Sequence, residues 1–277
     1  MKSDFFLHPL LKLHYYQFGH GAKPMLCFHG FGMHGKQFLC MEKYFGRDYT
    51  FYGFDLLFHK QTKLNNQTLS EIKKPISKED LAQIFIDFCD HQGIEKFAIL
   101  SYSMGTYYAG TLVECFPDRI SELLMSAPST FESGQLVLFF SRNKLGNKIF
   151  EKLMLSNHAL LSLIKLIKKL SVIDEKEYEI LCAELSTLEL RFAFYACLTY
   201  LRAQKLDNEK FIEHINQHQI QSIFVFGKRD QSYPKKIGEK IIPQLKNAVE
   251  IVIDENHDMI NDNFAHALWR LMYDNKT

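Results

Sequence analysis

Over its first half the chain alternates short apolar runs with segments of helical period. Leu11 to Phe18 alternates in part and carries Tyr15 and Tyr16, which predicts a strand, and Gly19 and Gly21 punctuate it. Pro24 to Phe28, Thr50 to Phe54, Lys96 to Leu100 and Ile120 to Met125 are near-continuous apolar runs, as strands buried on both faces require. Between them, Lys36 to Tyr44 reads as helical. Ser77 with Asp80 three residues on forms a capping box that opens a helix with Leu81, Ile84, Phe85 and Phe88 on one face, and Gly93 closes it. Asn65 to Lys78 is polar, contains Pro75 and reads as loop. Thr106 to Phe116 is again helix-like. Strand and helix in alternation predict an α/β fold: a mostly parallel central sheet flanked by helices.

The alternation stops at about Phe131 and resumes near Ile220. The stretch between reads as helical, with polar breaks near Ser141-Arg142-Asn143, Ser171 to Asp174 and Asp207-Asn208. Leu160, Leu163, Ile164 and Ile167 line one face of one of its helices, with Lys165, Lys168 and Lys169 opposite. Ile220 to Phe226 and Ala248 to Ile253 then read as strands, and Asn261 to Met272 as a closing helix. The expected organisation is a core of residues 1–130 and 220–277 with a helical cap inserted at 131–219.

Bulk properties narrow the class. The chain has 277 residues, 47% of them hydrophobic, and a formal net charge of +1. That near-neutral balance argues against nucleic acid as a partner. No run approaches the about 18 apolar residues of a membrane-spanning helix, and Met1 to Leu13 lacks the pattern of a signal peptide. The six cysteines are scattered without metal-finger spacing and read as buried free thiols of a reducing, cytoplasmic protein. No metal site and no cofactor are expected. The lysine face of the cap reads as solvated, with contact to a membrane surface as the alternative. Nothing in the chain fixes an oligomeric state.

The candidate chemistry lies at strand ends. Ser101-Tyr102-Ser103-Met104-Gly105 joins an apolar strand to a helix through an abrupt turn, with small residues two positions either side of Ser103. This is the arrangement of a nucleophile elbow. His29-Gly30-Phe31-Gly32 follows a buried strand and offers backbone N–H groups to a ligand. Asp230 and His257 follow the two late strands. A serine hydroxyl is a weak nucleophile until a base stands within hydrogen-bond reach and an acid orients that base. Ser103, His257 and Asp230 supply the three roles, and the N–H groups of Phe31 and Met104 are placed to cradle an oxyanion. Asp254 and Glu132 are rival acids, and His257, Asp258 and His266 are a weaker metal-like grouping. Because amphipathic cap helices must bury their apolar faces, Leu160, Ile164 and Phe194 are expected to line an acyl pocket, together with His29, Gly30 and Gly32 of the glycine-rich loop.

Taken in order, these motifs resemble the α/β-hydrolase fold superfamily in its capped, lipase- or esterase-like branch. His29 to Gly32 resembles the oxyanion loop after the third strand, Ser101 to Gly105 the elbow, Asp230 the acid after the seventh strand and His257 the histidine after the eighth. A second strand, required by that count, is marked by no distinct apolar run. Three departures stand out: Ser101 replaces the first elbow glycine, Thr106 stands where glycine or alanine is commoner, and Leu56-Leu57-Phe58-His59-Lys60 lacks the glycines of the family's Asp-x-x-Gly-x-Gly turn after Asp55. The resemblance implies a serine hydrolase acting on a small-molecule carboxylic ester or thioester through an acyl-enzyme. An acyltransferase, a carbon–carbon bond lyase or a non-catalytic binding protein of the same fold are the alternatives.

Overall fold

In the computed structural model, the structure describes residues 1–132, 135–156, 158–169, 178, 179, 182 and 185–274. The chain divides into two compact units: residues 1–66, 77–132 and 204–277 in one, and 67–76 with 133–203 in the other.

The first unit is a nine-stranded sheet. Its strands are β1 (Lys2–Leu7), β2 (Leu11–Gly19), β3 (Lys23–Phe28), β4 (Tyr49–Phe54), β5 (Lys63–Leu64), β6 (Phe97–Tyr102), β7 (Ile120–Ser126), β8 (Gln221–Gly227) and β9 (Ala248–Ile253). The order is β1-β2-β4-β3-β6-β7-β8-β9, with β5 paired to β2. β1 with β2 and β2 with β4 are antiparallel; from β4 through β9 every pair is parallel. The strands missing from the sequence reading are β1 and the two-residue β5, so Leu11 to Phe18 is the second strand.

β6 is buried at every position because helices cover both faces of the parallel part. The chain runs outward from β3 to β4, then returns to place β6 on the other side of β3, so the strand order reverses there. Loops leaving the carboxyl ends of β3 and β6 therefore flank one crevice. The core beneath includes Phe18, Met25, Phe38, Phe51, Leu100, Phe264 and Leu268. No disulfide joins the six cysteines; Cys27, Cys89 and Cys197 are buried, while Cys40, Cys115 and Cys182 are half-buried.

The second unit is helical among its described residues, with helices Leu69–Ile72, Gln135–Arg142, Lys144–Met154, Ala159–Lys169 and Leu188–Tyr200. Its limits differ from the expected 131–219 at both ends. Leu69–Ile72, read as loop, belongs here: Ile76 N–H donates to Tyr200 O (3.0 Å) and Lys73 pairs with Glu151 (2.8 Å). The helix Asn208–Gln217, expected in the cap, belongs to the core. Its Phe211 is fully buried with its ring 6.0 Å from that of Phe131, and His214 bonds Val113 O (2.9 Å). Two of the polar breaks are N-caps: Asn143 accepts from Leu145 and Gly146 N–H, and Asp207 from Lys210 N–H. The third, Ser171 to Asp174, lies outside the described residues. No described helix is long and apolar enough to cross a membrane.

Candidate active site

Ser103 sits between β6 and the helix Gly105–Cys115 with φ +49°, in the left-handed region. That conformation costs an L-residue about 1–2 kcal/mol and persists because its backbone is bonded on every side. Ser103 N–H donates to Ser126 O (3.0 Å). Its carbonyl accepts from Thr106 N–H (2.9 Å), the Thr106 hydroxyl (2.6 Å) and the Ser129 hydroxyl (2.8 Å). Thr106, a departure from the commoner glycine or alanine, thus clamps the turn. Gly105 has no alternative: a Cβ there would lie 2.0 Å from Phe28 O and 2.8 Å from His29 O. Ser101 needs no positive φ; it is fully buried and its hydroxyl donates to Leu124 O (3.3 Å).

The three polar strand-end residues converge. Ser103 Oγ stands 3.2 Å from His257 Nε2, and His257 Nδ1 stands 2.8 Å from Asp230 Oδ2. Asp230 Oδ1 accepts from Ser232 N–H (2.9 Å) and Tyr233 N–H (3.0 Å). Burial raises the Asp230 pKa, but the bonds from His257 and the two amides outweigh it and hold the carboxyl below its ordinary value. It is 3% exposed and stays ionised, able to fix the His257 tautomer. Neither rival acid takes its place: Asp254 is exposed and paired with Arg229 (3.2 Å), and Glu132 is exposed. Among the described residues no cluster of three His, Cys, Asp or Glu side chains is grouped to hold a metal ion; His266 stacks on Trp269 instead.

Several residues of this site have no sequence signal. The Tyr102 hydroxyl donates to His257 O, tying the residue before Ser103 to the backbone of His257. Burial, with Asp258 and Asp230 nearby, raises the Tyr102 pKa and keeps it a donor. The Tyr233 ring stands 5.3 Å from that of His257.

The loop after β3 differs from a simple substrate-lining loop. His29 is fully buried; its Nε2 accepts from Leu56 N–H (3.0 Å) and its Nδ1 bonds Gly30 O (2.7 Å). Gly30 N–H donates to Gln37 Oε1 (2.9 Å) and Gly32 N–H to His59 Nε2 (3.0 Å). His29, Gly30 and Gly32, expected in the pocket, therefore build the loop. A Cβ on Gly30 would press the Tyr102 ring at 2.7 Å. In the second unit Leu160 and Ile164 are buried, and the half-buried Phe194 meets Phe150 edge-on at 5.8 Å.

Comparison with known proteins agrees with this architecture. Residues 23–150 match the family model of the α/β-hydrolase fold. An α/β hydrolase enzyme from a Medee basin deep-sea metagenome library superposes with a TM-score of 0.69 at 14% identity, over 97% of this chain and 95% of that one. The chain has the α/β-hydrolase fold. A serine hydrolase from the polyaromatic-hydrocarbon-degrading bacterium Cycloclasticus zankles superposes with a TM-score of 0.67 at 17% identity, over 99% of each chain. A thermophilic esterase from Thermogutta terrifontis gives 0.63 at 14% identity, over 100% of each. No curated protein matches the sequence.

An α/β-hydrolase fold accounts for the placement of the turn after β4. In the family the Asp-x-x-Gly-x-Gly turn would put glycines at positions 58 and 60. Phe58 and Lys60 stand there with φ of +64° and +48°, so the left-handed backbone is kept without glycine.

Proposed function

We propose that the protein is a serine hydrolase that cleaves a carboxylic ester or thioester through an acyl-enzyme. The observation that carries this reading is the continuous relay from Ser103 Oγ to His257 (3.2 Å) to Asp230 (2.8 Å) on a left-handed elbow. Ser103 Oγ attacks the substrate carbonyl carbon while His257 Nε2 takes its proton, and the bond to the leaving oxygen or sulfur breaks as His257 returns that proton to it. Water then attacks the acyl-Ser103 ester with His257 again as base, releasing the acid and the free serine. Asp230 holds His257 with Nε2 directed at Ser103 and stabilises the imidazolium.

The N–H groups of Phe31 and Met104 receive the oxyanion. Two structural neighbours described as an esterase and a serine hydrolase are consistent with the reaction class. In the same reading apolar contacts set acyl-chain preference, each buried CH₂ of the acyl group contributing about 0.8 kcal/mol.

The test is turnover of a p-nitrophenyl acyl series and matching thioesters by the wild type and by Ser103→Ala. Hydrolysis that peaks along the series and falls by about 10⁴-fold or more in Ser103→Ala is expected. Retention of more than about a tenth of wild-type activity in that variant refutes the assignment.

A further inference from the structure

Two buried histidines exchange hydrogen bonds between the glycine-rich loop after β3 and the turn after β4. His29, on the loop, accepts from Leu56 N–H on the turn at 3.0 Å. His59, on the turn, accepts from Gly32 N–H on the loop at 3.0 Å. A backbone amide can only donate, so Nε2 must be unprotonated in both rings. Each ring then carries its proton on Nδ1 and donates to a carbonyl on its own segment: His29 to Gly30 O (2.7 Å), His59 to Leu57 O (2.9 Å). The two rings meet edge to face with centroids 5.0 Å apart, and the Phe31 ring lies 5.3 Å from that of His59.

The backbone shows what aims His59. It stands between Phe58 and Lys60, the two left-handed residues that replace the family's glycines. Strain of this kind persists only where the surroundings over-determine it. Here the turn is held at Asp55, whose carboxylate accepts from Gly35 N–H (2.9 Å), Gln61 N–H (3.3 Å) and the buried His14 (2.8 Å). The Thr62 hydroxyl donates to Asp55 O.

We infer that His59 is a positioning residue for the oxyanion loop: with His29 it forms a reciprocal latch that sets Phe31 for catalysis only while both rings are neutral. The inference rests on the hydrolase reading for its kinetic consequence, but the latch itself is a property of the fold. Protonation of Nε2 on either ring turns an acceptor into a donor facing an amide N–H, so the two segments separate. The charged and titratable groups facing the pair are Lys60 and Asp55 for His59, the latter paired with His14, and His34 and Lys60 for His29. Burial lowers the His59 pKa, the Leu57 carbonyl opposes this and Lys60 reinforces it; burial next to His59 lowers that of His29 much further. Both are therefore neutral above about pH 6.5.

Two variants and one spectroscopic measurement test this. His59→Phe keeps an aromatic ring and removes the acceptor. Its kcat on a p-nitrophenyl ester is expected to fall about 10²-fold, the scale of a misplaced oxyanion donor, with KM within about threefold. His59→Gln, whose amide oxygen accepts from Gly32 N–H, is expected to recover at least about a tenth of wild-type kcat and to show a shallower acid limb in its pH profile. The tautomers are read independently in the wild type at neutral pH by long-range proton–nitrogen NMR, which is expected to place the proton of both His29 and His59 on Nδ1. A His59→Phe enzyme with kcat within threefold of wild type, a folded His59→Gln no better than His59→Phe, or an Nε2–H tautomer at His59 overturns the latch. If the wild type itself fails to turn over esters, the hydrolase reading falls, and the tautomer measurement still decides the latch.

Discussion

Gly105→Ala isolates the geometry on which the elbow depends. The added Cβ would lie 2.0 Å from Phe28 O, 2.5 Å from the Phe28 carbonyl carbon and 2.8 Å from His29 O. All three are backbone atoms of β3 and its loop, so no side chain can swing aside. Real Cβ contacts at such distances do not occur, and relief requires the elbow helix to withdraw from β3 by about 1 Å. Overpacking of this kind costs about 3 kcal/mol or more, which for a chain of this length lowers Tm by roughly 6–12 °C. Gly93→Ala is the contrasting control: Gly93, unlike Gly105, sits at positive φ (+70°), and its Cβ would meet nothing within 4 Å. There only backbone strain of about 1–2 kcal/mol remains, partly offset by about 0.4–1 kcal/mol from the stiffer unfolded chain, so Tm should fall by no more than about 6 °C. Thermal unfolding followed by far-UV circular dichroism measures both, with ester turnover recorded alongside. If Gly105→Ala unfolds within about 2 °C of wild type, or no lower than Gly93→Ala, the close approach of helix and strand is not what selects glycine at the elbow.

Asp230→Asn should cost about 10⁴-fold in kcat, since an amide no longer enforces the His257 tautomer, whereas Glu132→Gln should stay within about twofold; a silent Asp230→Asn points to another acid. Because the folded pKa of Asp230 is depressed, its carboxylate adds stability above about pH 4 that is lost as pH falls through the folded value; the Tm of Asp230→Asn should accordingly depend less on pH in that range. His29 and His59 have folded pKa values below that of a free imidazole. The unfolded chain therefore binds protons the folded one rejects, and stability should fall as pH drops below about 6.5. His29→Gln should flatten the fall of Tm between about pH 7.5 and 5, and an unchanged slope would contradict the assignment. Lys60→Gly relieves a strained, exposed position at φ +48° and should raise stability by about 0.5–1 kcal/mol, read as a Tm higher by about 2 °C.

Where the sequence was informative, burial made it so. β3, β4 and β6 are buried on both faces and appear as unbroken apolar runs, and the motifs that carry chemistry sit at their ends. β1 escaped notice because it is an edge strand: Lys2 to Asp4 are exposed, as is Leu7, so no alternation marks it. The helix Asn208–Gln217 has an apolar stripe that fits the insertion as well as the core; only the contacts of Phe211 and His214 decide. Phe58 and Lys60 adopt a glycine-like backbone without glycine, so the turn that aims His59 left no trace in composition. Tyr102 lies at a variable position of the elbow, and nothing local signals that its hydroxyl reaches a backbone 155 residues away.

The central claim is that Ser103 is a nucleophile activated by His257. A fluorophosphonate probe reports this directly, because it forms a covalent adduct only with an activated serine and does not require the natural substrate to be known. Intact-protein mass spectrometry of the labelled wild type should show one adduct, localised by trypsin digestion to the peptide Phe97 to Arg119 and by fragmentation to Ser103. Ser103→Ala should take no label under the same conditions, and His257→Ala should label at least about 10²-fold more slowly. An adduct on Ser126 or Ser129, equal labelling of Ser103→Ala, or a folded wild type that takes no label at all would contradict the account.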